Sequence, residues 1–174
     1  MRNLILALFL IFSCNHLFAQ NSEEYYEEGK KYSDSKDFFL AALSYSKAIQ
    51  LNPYDWRYYQ SRSWAYFKSK NFKDALSDIN KSLDLKPMYN NYEAINIRAT
   101  ILLENGNYKE AIDDWTYIIT YFPDEFITKY GIAHFFRGKA LLYSNQKNKA
   151  CSDFHEAHLR KMGDAKSFID KFCN

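Results

Sequence analysis

Glycine and proline are scarce in this chain, five and three in 174 residues. The five glycines are scattered, so no glycine-rich phosphate loop forms. No G-x-S-x-G nucleophile elbow occurs either. Past the first twenty residues, no run approaches 18 consecutive apolar residues, so no transmembrane helix is expected there. Excess charge of one sign is also missing: 23 basic residues stand against 21 acidic ones, interleaved along the chain. That balance argues against a nucleic-acid binder and gives the chain as a whole no strong pull toward anionic lipid. Cysteine is confined to Cys14, Cys151 and Cys173.

The chain opens MRNLILALFLIFSCNHLFAQ. Arg2 precedes nine apolar residues, Leu4–Phe12, too few to cross a bilayer, which takes about 20. A polar patch and Leu17-Phe18-Ala19 follow, the layout of a secretory signal peptide over residues 1–19, cut after Ala19. Cys14 offers a second processing route. The run Leu10-Ile11-Phe12-Ser13-Cys14 loosely resembles a bacterial lipoprotein signal, in which the cysteine is acylated. Either route takes the protein out of the cytoplasm. A domain over residues 20–174 remains, long enough for one real core.

Aromatic residues are abundant, 18% of the chain, and fall in a repeating pattern. Ala41, Tyr45 and Ala48 lead to Pro53; Ala75, Ile79 and Ser82 lead to Pro87, 34 residues on. Ala111, Trp115 and Ile118 lead to Pro123, and Ala150, Phe154 and Ala157 lead to Met162. Upstream of each set lies a second amphipathic stretch: Tyr25, Gly29, Tyr32; then Tyr59, Ser63, Tyr66; then Ile95, Ala99, Leu102; then His134, Gly138, Leu141. Turn residues separate the two stretches at one phase: Ser35-Lys36-Asp37, Ser69-Lys70-Asn71, Asn105-Gly106-Asn107 and Ser144-Asn145-Gln146. Small residues sit where helix backbones approach closely, and aromatics fill the space beside them. Proline ends the second helix because it lacks a donor and clashes with the preceding turn.

Four phased copies of this pattern resemble the tetratricopeptide repeat, a helix–turn–helix unit of about 34 residues. The copies run over 22–55, 56–89, 92–125 and 131–164, with insertions at 90–91 and 126–130. The resemblance implies an all-α, right-handed α-solenoid in an exported bacterial protein. The 126–130 insertion either lengthens the next helix or widens the loop. In the last segment, 165–174, Asp164 caps a helix bearing Phe168, Ile169 and Phe172, which covers the open end of the stack.

Three constellations remain. Cys151 and Cys173 stand at the outer ends of a hairpin turning near Met162-Gly163. Arms of about equal length, an oxidising compartment and the likeness to exported repeat proteins all favour a disulfide; otherwise the two are buried thiols. Cys151, His155 and His158 share one helix face, but three ligands on one straight helix rarely converge on one ion, so no metal site is expected. Arg62 and Asp78, Arg98 and Asp114, and Arg137 and Asp153 are each 16 apart and symmetric about the inter-helix turn. They read as structural ion pairs tying helix to helix or copy to copy.

In this family the first helix of each copy lines a concave groove that takes peptides or partner surfaces. Carried over by phase, that implies Tyr26 and Lys30, then Gln60, Trp64, Phe67 and Lys68, then Asn96 and Thr100, then Phe135, Lys139 and Leu142. Trp64 and Phe67 are the natural anchors, unless a neighbouring helix claims them. The expectation is a non-catalytic interaction module of the cell envelope with a protein or peptide partner and no cofactor. The rivals are a lipid-anchored structural subunit of an outer-membrane assembly and a metal-dependent enzyme using Cys151, His155 and His158.

Overall fold

The computed structural model describes residues 21–86 and 91–173. The signal segment with Cys14, Pro87 and part of the 90–91 insertion lie outside the described residues. Among those described, every regular element is a helix, and the chain divides into two compact units, Met1–Leu85 and Lys86–Asn174.

The first unit holds α1 over residues 21–34, α2 (Phe38–Leu51), α3 (Trp56–Lys68) and α4 (Phe72–Leu85). α1 pairs with α2 and α3 with α4, and α3 also lies against α2. The phased residues build this packing. Ala41, Tyr45, Ala48, Ala75, Ile79 and Ser82 are all at most 2% exposed. Gly29 meets the Tyr45 ring so closely that a Cβ there would stand 2.5 Å from its Cε1. Ser63 at the same phase donates 2.8 Å to the carbonyl of Ala75 on the facing helix.

The second unit holds α5 (Tyr92–Glu104), α6 (Tyr108–Tyr121), α7 (Phe126–Lys129), α8 (Ile132–Tyr143), α9 (Lys147–Leu159) and α10 (Ala165–Phe172). α5 pairs with α6 and α8 with α9, while α6 packs on α8 and α10 on α9. Ala111, Trp115, Ile118, Ala150, Phe154 and Ala157 are fully buried. Gly138 faces Phe154 as Gly29 faces Tyr45, with a Cβ–ring distance of 2.7 Å. The 126–130 insertion is neither of the two expected forms. It is a separate single turn, α7, stopped where Gly131 turns left-handed at φ 73°. Asp164 sits at the start of α10 but its side chain makes no cap bond. Instead Ser167 Oγ donates 2.8 Å to the Asp164 carbonyl.

The inter-helix turns share one geometry. Lys36, Lys70, Gly106 and Asn145, at one repeat phase, all have φ between 59° and 83°. In each, the left-handed residue donates three residues back and the next donates five back: Lys36 to Ser33 and Asp37 to Tyr32, Lys70 to Phe67 and Asn71 to Tyr66. These are Schellman ends. The residue that closes one helix then begins the next; Asp37 Oδ1 accepts from Leu40 N at 3.1 Å.

Candidate functional site

The first-helix residues of the first unit form one stripe on α3. Gln60, Trp64 and Lys68 recur every fourth position, with Phe67 beside them. The Trp64 and Phe67 rings are 5.3 Å apart, and Lys68 Nζ stands 4.5 Å from the indole centroid. Phe67 also touches Phe72 at 6.2 Å, so the aromatics are half-buried rather than free. Gln60 Oε1 is buried with no hydrogen-bond partner among the described residues. On α1, Tyr26 lies between the rings of Tyr45 and Tyr58, at 5.7 and 5.0 Å, and Lys30 is exposed but bonded to Glu27 at 2.9 Å.

In the second unit the expected residues diverge. Phe135 does not line a groove: it is 4% exposed and packs with Phe154 and Phe168 in the core. Leu142 borders the same cluster. The reason is α10, whose Phe168 lies 5.0 Å from Phe135 and seals that face. Asn96 Oδ1 accepts from the buried Trp115 indole at 3.1 Å, and the Thr100 hydroxyl donates 2.8 Å to the Asn96 carbonyl. Lys139 Nζ stands 5.3 Å over Phe136. Among the expected first-helix residues, α3 alone combines two half-buried aromatics, a lysine over the indole and an open buried acceptor.

Each Arg–Asp pair is a two-bond fork: Arg62 to Asp78 at 2.7 and 2.8 Å, Arg98 to Asp114 at 2.8 and 2.6 Å, Arg137 to Asp153 at 2.8 and 2.7 Å. The three aspartates are each 6% exposed. Arg62 also donates 2.9 Å to Ser46 of α2, and Arg137 donates 3.2 Å to Thr116 of α6. One guanidinium therefore ties its own hairpin and reaches the preceding one. The first copy holds a different pair at this phase, Ser44 donating 2.9 Å to Glu28. The sequence pattern of Arg and Asp conceals it, because both residue types change together.

His134 is buried, its Nδ1 3.6 Å from Asp153 Oδ1, and neither ring nitrogen has a hydrogen-bond partner among the described residues. Burial holds the Asp114 carboxyl above its ordinary range despite Arg98. At Asp153 burial acts the same way, but Arg137 and the nearby His134 outweigh it and bring the group below that range. Arg57, not singled out from sequence, is clamped between Asp55 and Glu23. A cleft of about 380 Å³ in the second unit is lined by Arg137, Asp153, Thr116 and Lys149.

Cys151 and Cys173 are joined by a disulfide. The bond removes the thiolate that a Cys151, His155, His158 metal site would need. His155 and His158 are exposed. No group of three or more potential metal ligands converges among the described residues, and no described helix is long and apolar enough to cross a membrane.

No family profile matches the chain. Rat serine/threonine-protein phosphatase 5 is 28% identical over 106 residues, 61% of this chain. The match spans about a fifth of the phosphatase, 21% of its length. Among solved structures, the Arabidopsis OM64 TPR domain is 28% identical with a TM-score of 0.60, covering 67% of this chain and 93% of that one. The TPR2B domain of yeast Sti1, in a pHsp70 complex, is 26% identical with a TM-score of 0.64, covering 71% and 98%. The fold class is an all-α solenoid, similar to the tetratricopeptide-repeat domains among these solved structures.

Proposed function

We propose that this chain is an exported, non-catalytic interaction module that takes a protein or peptide partner on the first-helix face of its first unit. The observation that carries the reading is the α3 stripe. Trp64 and Phe67 offer apolar area, Lys68 a cation without a carboxylate partner among the described residues, and Gln60 Oε1 a buried acceptor with none. A buried acceptor left open costs about 1–3 kcal/mol, which a turn of the Gln60 amide toward a donor on a partner would recover. Aromatic anchors edged by polar groups are the usual centres of binding energy. The likeness to a Sti1 domain solved in a pHsp70 complex supports a binding role.

Export rests on the opening MRNLILALFLIFSCNHLFAQ, which makes the processed protein periplasmic or secreted. A lipid-anchored subunit of an outer-membrane assembly is the second reading, favoured by the run ending at Cys14. Mass spectrometry of the mature amino terminus separates the two: a start at Gln20 excludes the anchor, and an acylated Cys14 establishes it.

Affinity capture from the native envelope, comparing wild type with Trp64→Ala, tests the site. Loss of a captured partner in the variant, with thermal unfolding unchanged, is the expected result. Equal capture by both forms removes the α3 assignment.

A further inference from the structure

α2 differs from its counterparts on one face. Positions 39 and 43 share their phase with Lys73 and Ser77 in α4, Lys109 and Asp113 in α6, and Asn148 and Ser152 in α9. All six of those residues are polar and exposed, so the phase faces solvent in every copy. In α2 the same places carry Phe39, 77% exposed, and Leu43, 48% exposed. Packing inside the unit does not account for them: the apolar residues of α2 that do face the core are Ala41, Ala42, Tyr45 and Ala48.

Along the second helices of this unit and the turns before them, exposed charge leans positive. α2 contains no aspartate or glutamate, and its one charged residue, Lys47, stands 5.1 Å over Tyr25 with no carboxylate partner among the described residues. The second helices of this unit and the turns before them expose Lys36, Lys47, Lys70, Lys73 and Lys81. Against these five stand Asp37, Asp74 and Asp84, since Asp78 is bound to Arg62. The near-neutral charge of the whole chain hides this local excess.

We propose that the outer face of α2 docks on an anionic lipid bilayer, with Phe39 and Leu43 entering the headgroup layer and the lysines meeting lipid phosphates. Two isolated apolar side chains are too little for a stable protein interface, which takes roughly 800 Å² from each partner. They suit a fluid surface that closes around each of them, with lysine stems lying along it and the ammonium groups in water. Lysines near a negatively charged leaflet add attraction that salt screens. This inference is independent of the α3 face and stands or falls separately from it.

The test is hydroxyl-radical footprinting of the processed chain, from Gln20 onward, with vesicles of phosphatidylcholine alone or mixed with phosphatidylglycerol. The expected result is a several-fold drop in labelling of Phe39 and Leu43 on the anionic vesicles only, reversed by 0.5 M salt, with Tyr121 and Phe126 unchanged as exposed controls. The double substitution F39S/L43S alters exposed positions and should lower vesicle partitioning at least tenfold. Unchanged labelling of the two residues overturns the proposal, as does equal partitioning of variant and wild type. Protection that appears without vesicles and grows with protein concentration also overturns it, by showing that a second copy covers the face.

Discussion

Arg137 on α8 grips Asp153 on α9 through two hydrogen bonds of 2.8 and 2.7 Å, and its remaining nitrogen reaches Thr116 on α6 at 3.2 Å. A single side chain thus binds three helices. Its planar fork is what makes this possible, because a lysine could not meet both carboxylate oxygens and a third acceptor in fixed directions. Arg62 does the same work between α3, α4 and α2.

Replacing Arg137 with methionine keeps the stem and deletes the fork. Asp153, 6% exposed, would then keep a buried charge facing only His134. Removing one partner of a buried pair costs about 3–5 kcal/mol. Arg137 is 20% exposed at its side chain, so partial hydration of the site places the expected loss just below that range, about 2–3 kcal/mol. Urea unfolding of Arg137→Met against wild type measures it, and a loss below about 0.5 kcal/mol would show that the pair does not hold the hairpins.

Acid should act oppositely at two members of the ladder. The folded Asp153 carboxyl titrates below its ordinary value of 3.8, so its contribution is present above that value and is lost as pH falls through the folded pKa. The folded Asp114 carboxyl titrates above 3.8, chiefly through burial, so the fold takes up a proton there before the unfolded chain does. Lowering pH through that higher pKa therefore favours the folded state at Asp114. Asp153→Asn should flatten the acid-side fall in stability below about pH 4, and Asp114→Asn should steepen it. Urea midpoints of both variants between pH 3 and 5 give the comparison; the same change in both would contradict the opposed shifts.

Much of this architecture could be read from residue spacing because each copy repeats one close contact. Gly29 against Tyr45 and Gly138 against Phe154 are the same small-against-large fit 16 residues apart, and a period exposes such a fit even at low identity. The turns were less legible. Their left-handed residue is glycine in one copy, asparagine in another and lysine in two, and lysine carries no local signal for positive φ. Phe135 shows a different limit. Its phase belongs to the groove, yet α10 closes over it, and phase alone cannot report what a terminal segment covers. The α3 stripe was named from sequence, whereas the open Gln60 acceptor is visible only once its neighbours are placed.

Lys70 offers a direct measure of the turn geometry. It stands at φ 59°, where a Cβ crowds the backbone by roughly 1 kcal/mol relative to glycine, and its side chain is exposed. Glycine removes that strain but gives the unfolded chain more freedom, an opposing effect of about 0.4–1 kcal/mol. The strain should win slightly at a Schellman end, where the backbone bonds to Phe67 and Tyr66 stay in place. Lys70→Gly is expected to raise stability by up to about 0.5 kcal/mol, and Lys70→Val to lower it by about 1 kcal/mol or more. Thermal midpoints of the two variants should bracket wild type. A glycine variant less stable than the valine one would mean that the turn is not left-handed.

The Cys151–Cys173 bond fastens a helix that could not hold its own shape. α10 is eight residues long, well short of the 12–15 an isolated helix needs in water, and its first turn lacks a side-chain cap from Asp164. What keeps it in place is Ala165 and Ile169 in the core, Phe168 against Phe135 and Phe154, and the disulfide at its far end. The bond spans 22 residues of sequence, for which the chain-entropy estimate is about 3 kcal/mol. Because α10 packs chiefly on α9, that effect should appear first as local opening. In Cys151→Ser/Cys173→Ser, amide exchange over 165–172 should speed up by one to two orders of magnitude, about 1.4–2.8 kcal/mol, while α5 and α6 keep their protection. The same acceleration should follow a dithiol reductant on the wild type. Exchange in α10 that stays slow in both cases would show that its apolar contacts alone hold it, and that the disulfide is dispensable to the cap.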